Sequence, residues 1–224
     1  MGVFRILVAD DHEVVRKGLV ALLHAQPDWQ VCGEAAEGRD AVEKTLQLKP
    51  DVVILDIGMP DLNGLDATRQ ILKMNPQARV LILTLHDSDQ VVREVLNVGA
   101  RGFLLKSDAG RDLVAAVDAV RRDKTYFTSK VASMVLEGFL KAAKPGAVPS
   151  PGRNRLTPRE REIVQLLAEG KSTKAVAADL GLSVKTAETH RSNIMRKLQL
   201  HSVSDLVLYA VRNNIVHVDT DLSK

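Results

Sequence analysis

Across the first 125 residues, short runs of Val, Ile and Leu alternate five times with segments of helical periodicity, a rhythm that few architectures accept. The pairs are RILVAD then VVRKGLVALLHAQ, QVCGEAA then GRDAVEKTLQLK, DVVILD then GLDATRQILKMN, RVLILTL then DQVVREVLNVG, and RGFLLK then AGRDLVAAVDAVRRD. Runs that are apolar at consecutive positions suit strands buried on both faces, since a strand with one wet face would alternate. The expected fold is therefore α/β, a five-stranded parallel doubly wound sheet with helices on each side. In such a sheet, ligands gather at the carboxyl ends of the strands. This chain puts its reactive side chains there: Asp10 and Asp11 after the first strand, Asp56 ending the third, Thr84 ending the fourth and Lys106 just past the fifth.

Carboxylates crowded at neighbouring strand ends repel one another and call for a divalent cation, and an all-oxygen set of one to three carboxylates suits Mg²⁺. Asp10 and Asp11 are the candidate metal residues. A carboxylate can also attack phosphorus if the charge gathering on the phosphoryl oxygens is neutralised. Asp56 fits that part, with Lys106 supplying positive charge and Thr84 a hydroxyl donor. Each residue alone reads as a helix cap, a turn or a solvated side chain; the combination, each at its own strand end, is what points to a site.

Past residue 125 the pattern changes. TSKVASMVLEGFLKAA at 128–143 has Val131, Met134, Val135, Phe139 and Leu140 on one helical face, and KPGAVPSPGRNR at 144–155 cannot continue a helix. The division expected is 1–125, a linker helix and Pro/Gly-rich linker over 126–154, and a last domain over 155–218. That last domain reads as a small all-α unit of four helices. Thr157-Pro158-Arg159-Glu160 is a capping box with Pro at the first helical position, and Gly170 ends the helix it starts. Ser172 and Ser183 can cap the next two helices around a turn at Gly181, and Ser202 with Asp205 can cap the fourth. Charge follows the same division: 16 Lys/Arg against 19 Asp/Glu over 1–125 (net −3), 3 against 1 over 126–150 (+2), and 12 against 8 over 151–224 (+4). A basic end suggests a nucleic-acid surface.

On the helix capped by Ser183, Lys185, Glu188, Thr189, Ser192 and Arg196 share one polar arc, while Ala187, His190, Ile194 and Leu198 lie across from it, which makes His190 a core histidine. A capped helix, a tight turn and a second helix form a helix-turn-helix, whose second helix enters the DNA major groove. There Lys185 and Arg196 would meet phosphates or guanine edges, Glu188 cytosine N4, and Thr189 and Ser192 bases or thymine methyls. Cys32 is the single Cys, so neither an intramolecular disulfide nor a cysteine metal cluster can form, and a buried inert thiol is expected. The apolar runs have strand length and none suits a signal peptide or a membrane span, so a soluble cytoplasmic protein is expected.

Residues 4–122 resemble a two-component receiver domain through VADDHEVVRKGL, DVVILDIGMPDLNGLDATR, VLILT and GARGFLLK. The resemblance implies that Asp56 is the phosphoacceptor, that Asp10, Asp11, Asp56 and the Gly58 carbonyl surround Mg²⁺, and that Thr84 and Lys106 contact the phosphoryl group. It also implies a switch in which Phe103 turns inward; from the residues alone, Phe103 is simply an aromatic in a buried strand. Gly58 and His86 occupy positions that influence the lifetime of the phosphate in this family. Residues 155–216 resemble the LuxR-type helix-turn-helix of NarL/FixJ-type response regulators through LTPREREIVQLLAEGKS and LSVKTAETHRSNIMRKL, departing from the usual pattern at Thr173 and Ala187. That resemblance implies a sensor histidine kinase as phosphoryl donor, double-stranded DNA with paired promoter half-sites as target, and a homodimer on phosphorylation or DNA binding, joined through the last helix.

Three rival readings fit the residues less well. Gly170-Lys171-Ser172-Thr173 imitates the end of a phosphate-binding loop, but Gln165 stands where that motif needs Gly and a helix precedes it instead of a strand. A phosphohydrolase using Asp56 would want an acid two residues on, and Gly58 has none. A phosphate-independent regulator with the first domain as a dimerisation scaffold would not need the complete set of pocket residues.

Overall fold

The computed structural model describes residues 2–85, 88–127 and 156–216, with the backbone alone at 89 and 90. The helix expected at 128–143, the linker at 144–155 and His86 lie outside the described residues. The chain divides into two units, Met1–Val148 and Pro149–Lys224.

In the first unit, β1 (Phe4–Ala9), β2 (Trp29–Ala35), β3 (Val52–Asp56), β4 (Val80–Thr84) and β5 (Gly102–Leu105) form one sheet in the order β2-β1-β3-β4-β5. All neighbouring pairs are parallel. The crossovers are α1 (Glu13–His24), α2 (Gly38–Leu48), α3 (Gly64–Met74) and α4 (Asp89–Val98), and α5 (Ala109–Arg121) follows β5. Because side chains alternate along a strand, the strands feed two separate layers. Ile6, Val8, Ile54, Leu81 and Leu83 pack with Leu19 and Leu23 of α1 and Leu113 and Val117 of α5. Leu7, Val53, Leu55, Ile82 and Phe103 pack with Ala41 of α2, Leu65 and Ile71 of α3, and Val91 and Val95 of α4. This is why the central runs β3 and β4 are buried at every position, while β2 at the edge is mostly only partly buried. Strand order reverses between β1 and β3, and the crevice at such a reversal is where an open α/β sheet receives ligands.

The loop from β3 into α3 is held tightly. Asn63 caps α3 by accepting from the Asp66 N–H, and Met59 and Leu62 are buried beneath the loop. Gly64 donates its N–H to the Ile57 carbonyl at 3.0 Å, and a Cβ there would stand 2.0 Å from the Asp56 carbonyl oxygen. At the far edge of the sheet, Tyr126 continues the pairing beyond β5: the Phe103 N–H donates to the Tyr126 carbonyl at 2.9 Å, and the Tyr126 N–H donates to the Arg101 carbonyl at 3.1 Å. Tyr126 packs in the α1/α5 layer and Phe127 in the layer that holds Phe103. The segment read from sequence as the start of a linker thus begins with an isolated parallel bridge to the sheet edge. Cys32, on the opposite edge strand, is half-buried rather than buried; burial raises its thiol pKa, which keeps it protonated.

The second unit contains α6 (Pro158–Ala168), α7 (Thr173–Asp179), α8 (Val184–Leu198) and α9 (Val203–Arg212) among the described residues. Thr157 with Glu160 and Ser202 with Asp205 both form complete capping boxes, and Ser172 and Ser183 cap α7 and α8. Gly170 and Gly181 adopt φ of +88° and +63° after their helices, where a Cβ would be strained. Ile163, Val164, Leu167, Val176, Ile194, Leu206 and Ala210 make the core. Lys197 of α8 reaches Glu160 of α6 at 2.6 Å, which holds α8 against the first helix.

Candidate functional site

The carboxyl ends of β1, β3 and β5 converge as the strand-end reading required. Ala9 pairs with Leu55, so the next residues, Asp10 and Asp56, stand level on neighbouring strands. Both are buried. Lys106, in the single 3₁₀ turn that follows β5, sends a side chain only 5% exposed between them. Its Nζ lies 2.8 Å from Asp10 Oδ2 and 2.9 Å from Asp56 Oδ2. Asp11 is partly open to solvent. Around the pocket, Arg16 donates from its guanidinium to the Asp10 carbonyl at 2.7 Å and pairs with Glu34 at 3.1 Å, which steadies the turn out of β1.

Thr84 ends β4, the neighbour of β3, and is buried. Gly58 is half-buried in the loop just beyond Asp56. Phe103 is 1% exposed and sits opposite Ile82 in the α3/α4 layer, so in this structure the ring is turned inward. Sequence reasoning missed His12. Its backbone N–H donates to Asp10 Oδ1 at 2.9 Å, and its Nδ1 lies 2.7 Å from Asp11 Oδ1. The signal was adjacency alone, since the imidazole follows the acidic pair directly.

Electrostatics sets the chemistry of this pocket. Burial is the largest influence on Asp56 and pushes its carboxyl up to about 6; the nearby Asp10 charge adds to this and Lys106 opposes it. Burial works against the charge on Lys106, but Asp56 and Asp10 outweigh it and hold the ammonium above its ordinary value. For His12, burial likewise opposes charge and Asp11 outweighs it, so the imidazole pKa rises. Three carboxylates face one ammonium, and donor atoms from Asp10, Asp11, His12 and Asp56 lie within 4.8 Å of one another. A compact, oxygen-rich set with surplus negative charge and an open side fits a hard divalent cation.

The second unit offers a different surface. Lys185, Glu188, Thr189, Ser192 and Arg196 are all exposed on α8, while Ala187, Ile194 and Leu198 are buried. His190, expected in the core, is half-buried at the border between the two faces; the neighbouring Arg191, also half-buried, reaches Thr173 Oγ1 at 3.3 Å. Thr189 donates its hydroxyl to the Lys185 carbonyl and Arg196 donates to Asn193 Oδ1, contacts made along the helix itself. The polar face is therefore not consumed by packing. No helix among the described residues is long and apolar enough to cross a membrane.

Comparison with known proteins gives two family matches. The response regulator receiver domain matches residues 6–118, and the luxR family of bacterial regulatory proteins matches residues 154–210. The transcriptional regulatory protein LiaR of Bacillus subtilis is 38% identical over 213 residues, covering 95% of this chain and 99% of LiaR. The oxygen regulatory protein NreC of Staphylococcus carnosus is 38% identical over 214 residues, with the same coverage of each chain. Among solved structures, a LuxR-family two-component response regulator from Aurantimonas sp. matches with a TM-score of 0.57 and 31% identity, over 61% of this chain and 97% of that one. RcsB of Salmonella enterica serovar Typhimurium, bound to a promoter in the presence of phosphomimetic BeF₃⁻, matches with a TM-score of 0.58 and 25% identity, over 96% of this chain and all of that one.

Proposed function

The chain belongs to the two-component response regulators that join a receiver domain to a LuxR-type DNA-binding module, and from that membership we propose which of its residues carry the signal. Regulation of transcription through DNA binding, under the control of phosphorylation, is the work of this family. In this chain Asp56 is the phosphoacceptor. A carboxylate oxygen of Asp56 attacks phosphorus on a phosphohistidine of a sensor kinase; the O–P bond forms, the N–P bond breaks and the imidazole leaves. The observation that carries this reading is Lys106 Nζ, poised between Asp10 and Asp56 where it can stay with the phosphoryl oxygens after transfer. Thr84, from the next strand end, offers a hydroxyl to the same oxygens.

Asp10, Asp11, Asp56 and the Gly58 carbonyl would hold Mg²⁺, which when bound supplies the charge that lets two anions approach. Gly58 has no side chain to serve as an acid, so phosphoryl transfer here is a signal rather than turnover. Phe103 is the switch aromatic, and its inward packing under α3 and α4 is the arrangement that phosphorylation would hold. The residues divide functionally into a receiver over 1–125, to whose edge Tyr126 and Phe127 add, a linker that takes up the rest of 126–154, and a DNA-binding domain over 155–218. In the last of these, Lys185, Glu188, Thr189, Ser192 and Arg196 face the major groove, and α9 pairs two copies on promoter half-sites. On this reading the protein works in the cytoplasm, where kinase and DNA meet.

The test is phosphoryl incorporation from acetyl phosphate with and without Mg²⁺, on wild type and Asp56→Asn, with DNA binding followed in the same samples. Mg²⁺-dependent labelling lost in Asp56→Asn, together with tighter DNA binding when labelled, is expected. Labelling that survives the substitution would overturn the assignment of Asp56.

A further inference from the structure

His12 brings a nitrogen donor into a pocket otherwise built from oxygen. Its Nδ1 is 2.7 Å from Asp11 Oδ1 and 3.5 Å from Asp10 Oδ1. One donor atom from each of Asp10, Asp11, His12 and Asp56 can be chosen so that all four lie within 4.8 Å of one another. Around a six-coordinate cation with bonds of about 2.1 Å, adjacent ligands stand about 3 Å apart and opposite ones about 4.2 Å. The four donors, within 4.8 Å of one another, occupy a space only slightly larger than that. His12 is also well placed to move: its backbone is fixed as the N-cap of α1 and by the bond to Asp10 Oδ1, while its side chain is 41% exposed. The ring can therefore turn toward a cation without disturbing the core.

What an imidazole adds depends on the cation. Mg²⁺ is hard and gains little from nitrogen, whereas first-row transition ions accept imidazole readily and in increasing order from Mn²⁺ to Co²⁺. We propose that His12 sets the cation selectivity of the pocket: with Co²⁺ or Mn²⁺ its ring nitrogen joins the carboxylates as a ligand, and with Mg²⁺ it remains the hydrogen-bond partner of Asp11. The proposal rests on the reading of the pocket as a divalent-cation site and adds a residue that determines which cations that site takes. It differs from a purely structural role for His12, in which the ring only orients Asp11 and serves every cation alike.

The experiment is calorimetric titration of the full-length protein with Mg²⁺, Mn²⁺ and Co²⁺, on wild type, His12→Ala, His12→Gln and Asp56→Asn, with pulsed electron paramagnetic resonance of the Mn²⁺ complex. In His12→Ala, Mg²⁺ affinity should stay within about twofold and Co²⁺ affinity should fall roughly tenfold or more, in the range seen when a metal-site partner is removed. The nitrogen modulation of the Mn²⁺ signal should disappear in the same variant. Equal losses for Mg²⁺ and Co²⁺, or an unchanged Co²⁺ affinity, would overturn the proposal. Co²⁺ binding indifferent to both His12→Ala and Asp56→Asn would overturn it by placing the ion elsewhere. Failure of Mg²⁺ to bind wild type at all would instead bring down the cation-site reading beneath it, so the two failures are told apart.

Discussion

Asp56→Asn should make the receiver more stable at neutral pH in the absence of divalent cations, although it removes an ion pair. Holding a carboxyl in the folded state at about 6, against an ordinary value near 4, means that ionising it there costs about 3 kcal/mol more than in the unfolded chain. The sign follows from the direction of the shift. A folded pKa above the unfolded one contributes stability that is complete below about pH 4 and is lost as pH rises through about 6. At pH 7.5 wild type therefore carries the whole cost of three carboxylates around one ammonium, and Asn removes one of the three. Lys106 keeps Asp10 at 2.8 Å and can still donate to the Asn carbonyl, so the net gain should be about 1–3 kcal/mol. Trp29, the single Trp of the chain, lies on β2 and reports this unit alone by fluorescence. Urea denaturation in EDTA should show the midpoint of Asp56→Asn raised by about 1 M at pH 7.5, given ordinary slopes for a domain of this size. The difference should shrink toward zero by pH 4. Saturating Mg²⁺ should stabilise wild type, by about 2.7 kcal/mol at one hundred times its Kd, and leave the variant nearly unmoved. A variant no more stable than wild type at pH 7.5, or a gain that persists at pH 4, would refute the claim that burial and like charge strain this carboxylate.

Gly64→Ala should destabilise the receiver by at least about 2–3 kcal/mol and impair phosphorylation, because the new Cβ would stand 2.0 Å from the Asp56 carbonyl oxygen; urea denaturation and acetyl phosphate labelling measure the two effects. Lys185→Ala and Arg196→Ala should each weaken DNA binding and lower the slope of log K against log salt by about 1 if the side chain meets a phosphate, as read by fluorescence anisotropy across a salt series. Unchanged slopes in both would mean that another face of α8 meets the duplex. Thr157→Ala should cost the second unit about 1 kcal/mol by opening its first capping box, measurable as a lower melting midpoint by far-ultraviolet circular dichroism.

The acidic pocket was legible because each of its residues ends a strand whose apolar run announces it. Asp10, Asp56 and Lys106 needed only a parallel sheet to bring them together, and β1 beside β3 does so. The caps at Thr157, Ser172, Ser183 and Ser202 were equally plain, since capping is chemistry local to a few residues. His12 was not legible, because one imidazole beside two carboxylates looks the same whether it points inward or away. His190 is half-buried instead of buried for a related reason: helical projection places a residue on a face but does not say how deeply the facing helices cover it. Phe103 stays ambiguous by sequence, since an aromatic in a buried strand has the same pattern whether it only packs or also moves. The pairing of Tyr126 was invisible, as a two-residue contact has no periodicity to detect.

That last contact bears on how the molecule can be divided. Tyr126 occupies the outer side of β5, satisfying the Phe103 N–H and taking its own partner from Arg101, and Phe127 covers apolar surface beside it. A fragment ended at residue 125 would leave β5 as a bare edge, short but apolar, with an unmatched donor at its centre. Bare edges recruit other strands. Self-association by such a fragment would therefore be an artefact of the cut, and any isolated receiver meant to report on dimerisation should retain Tyr126 and Phe127.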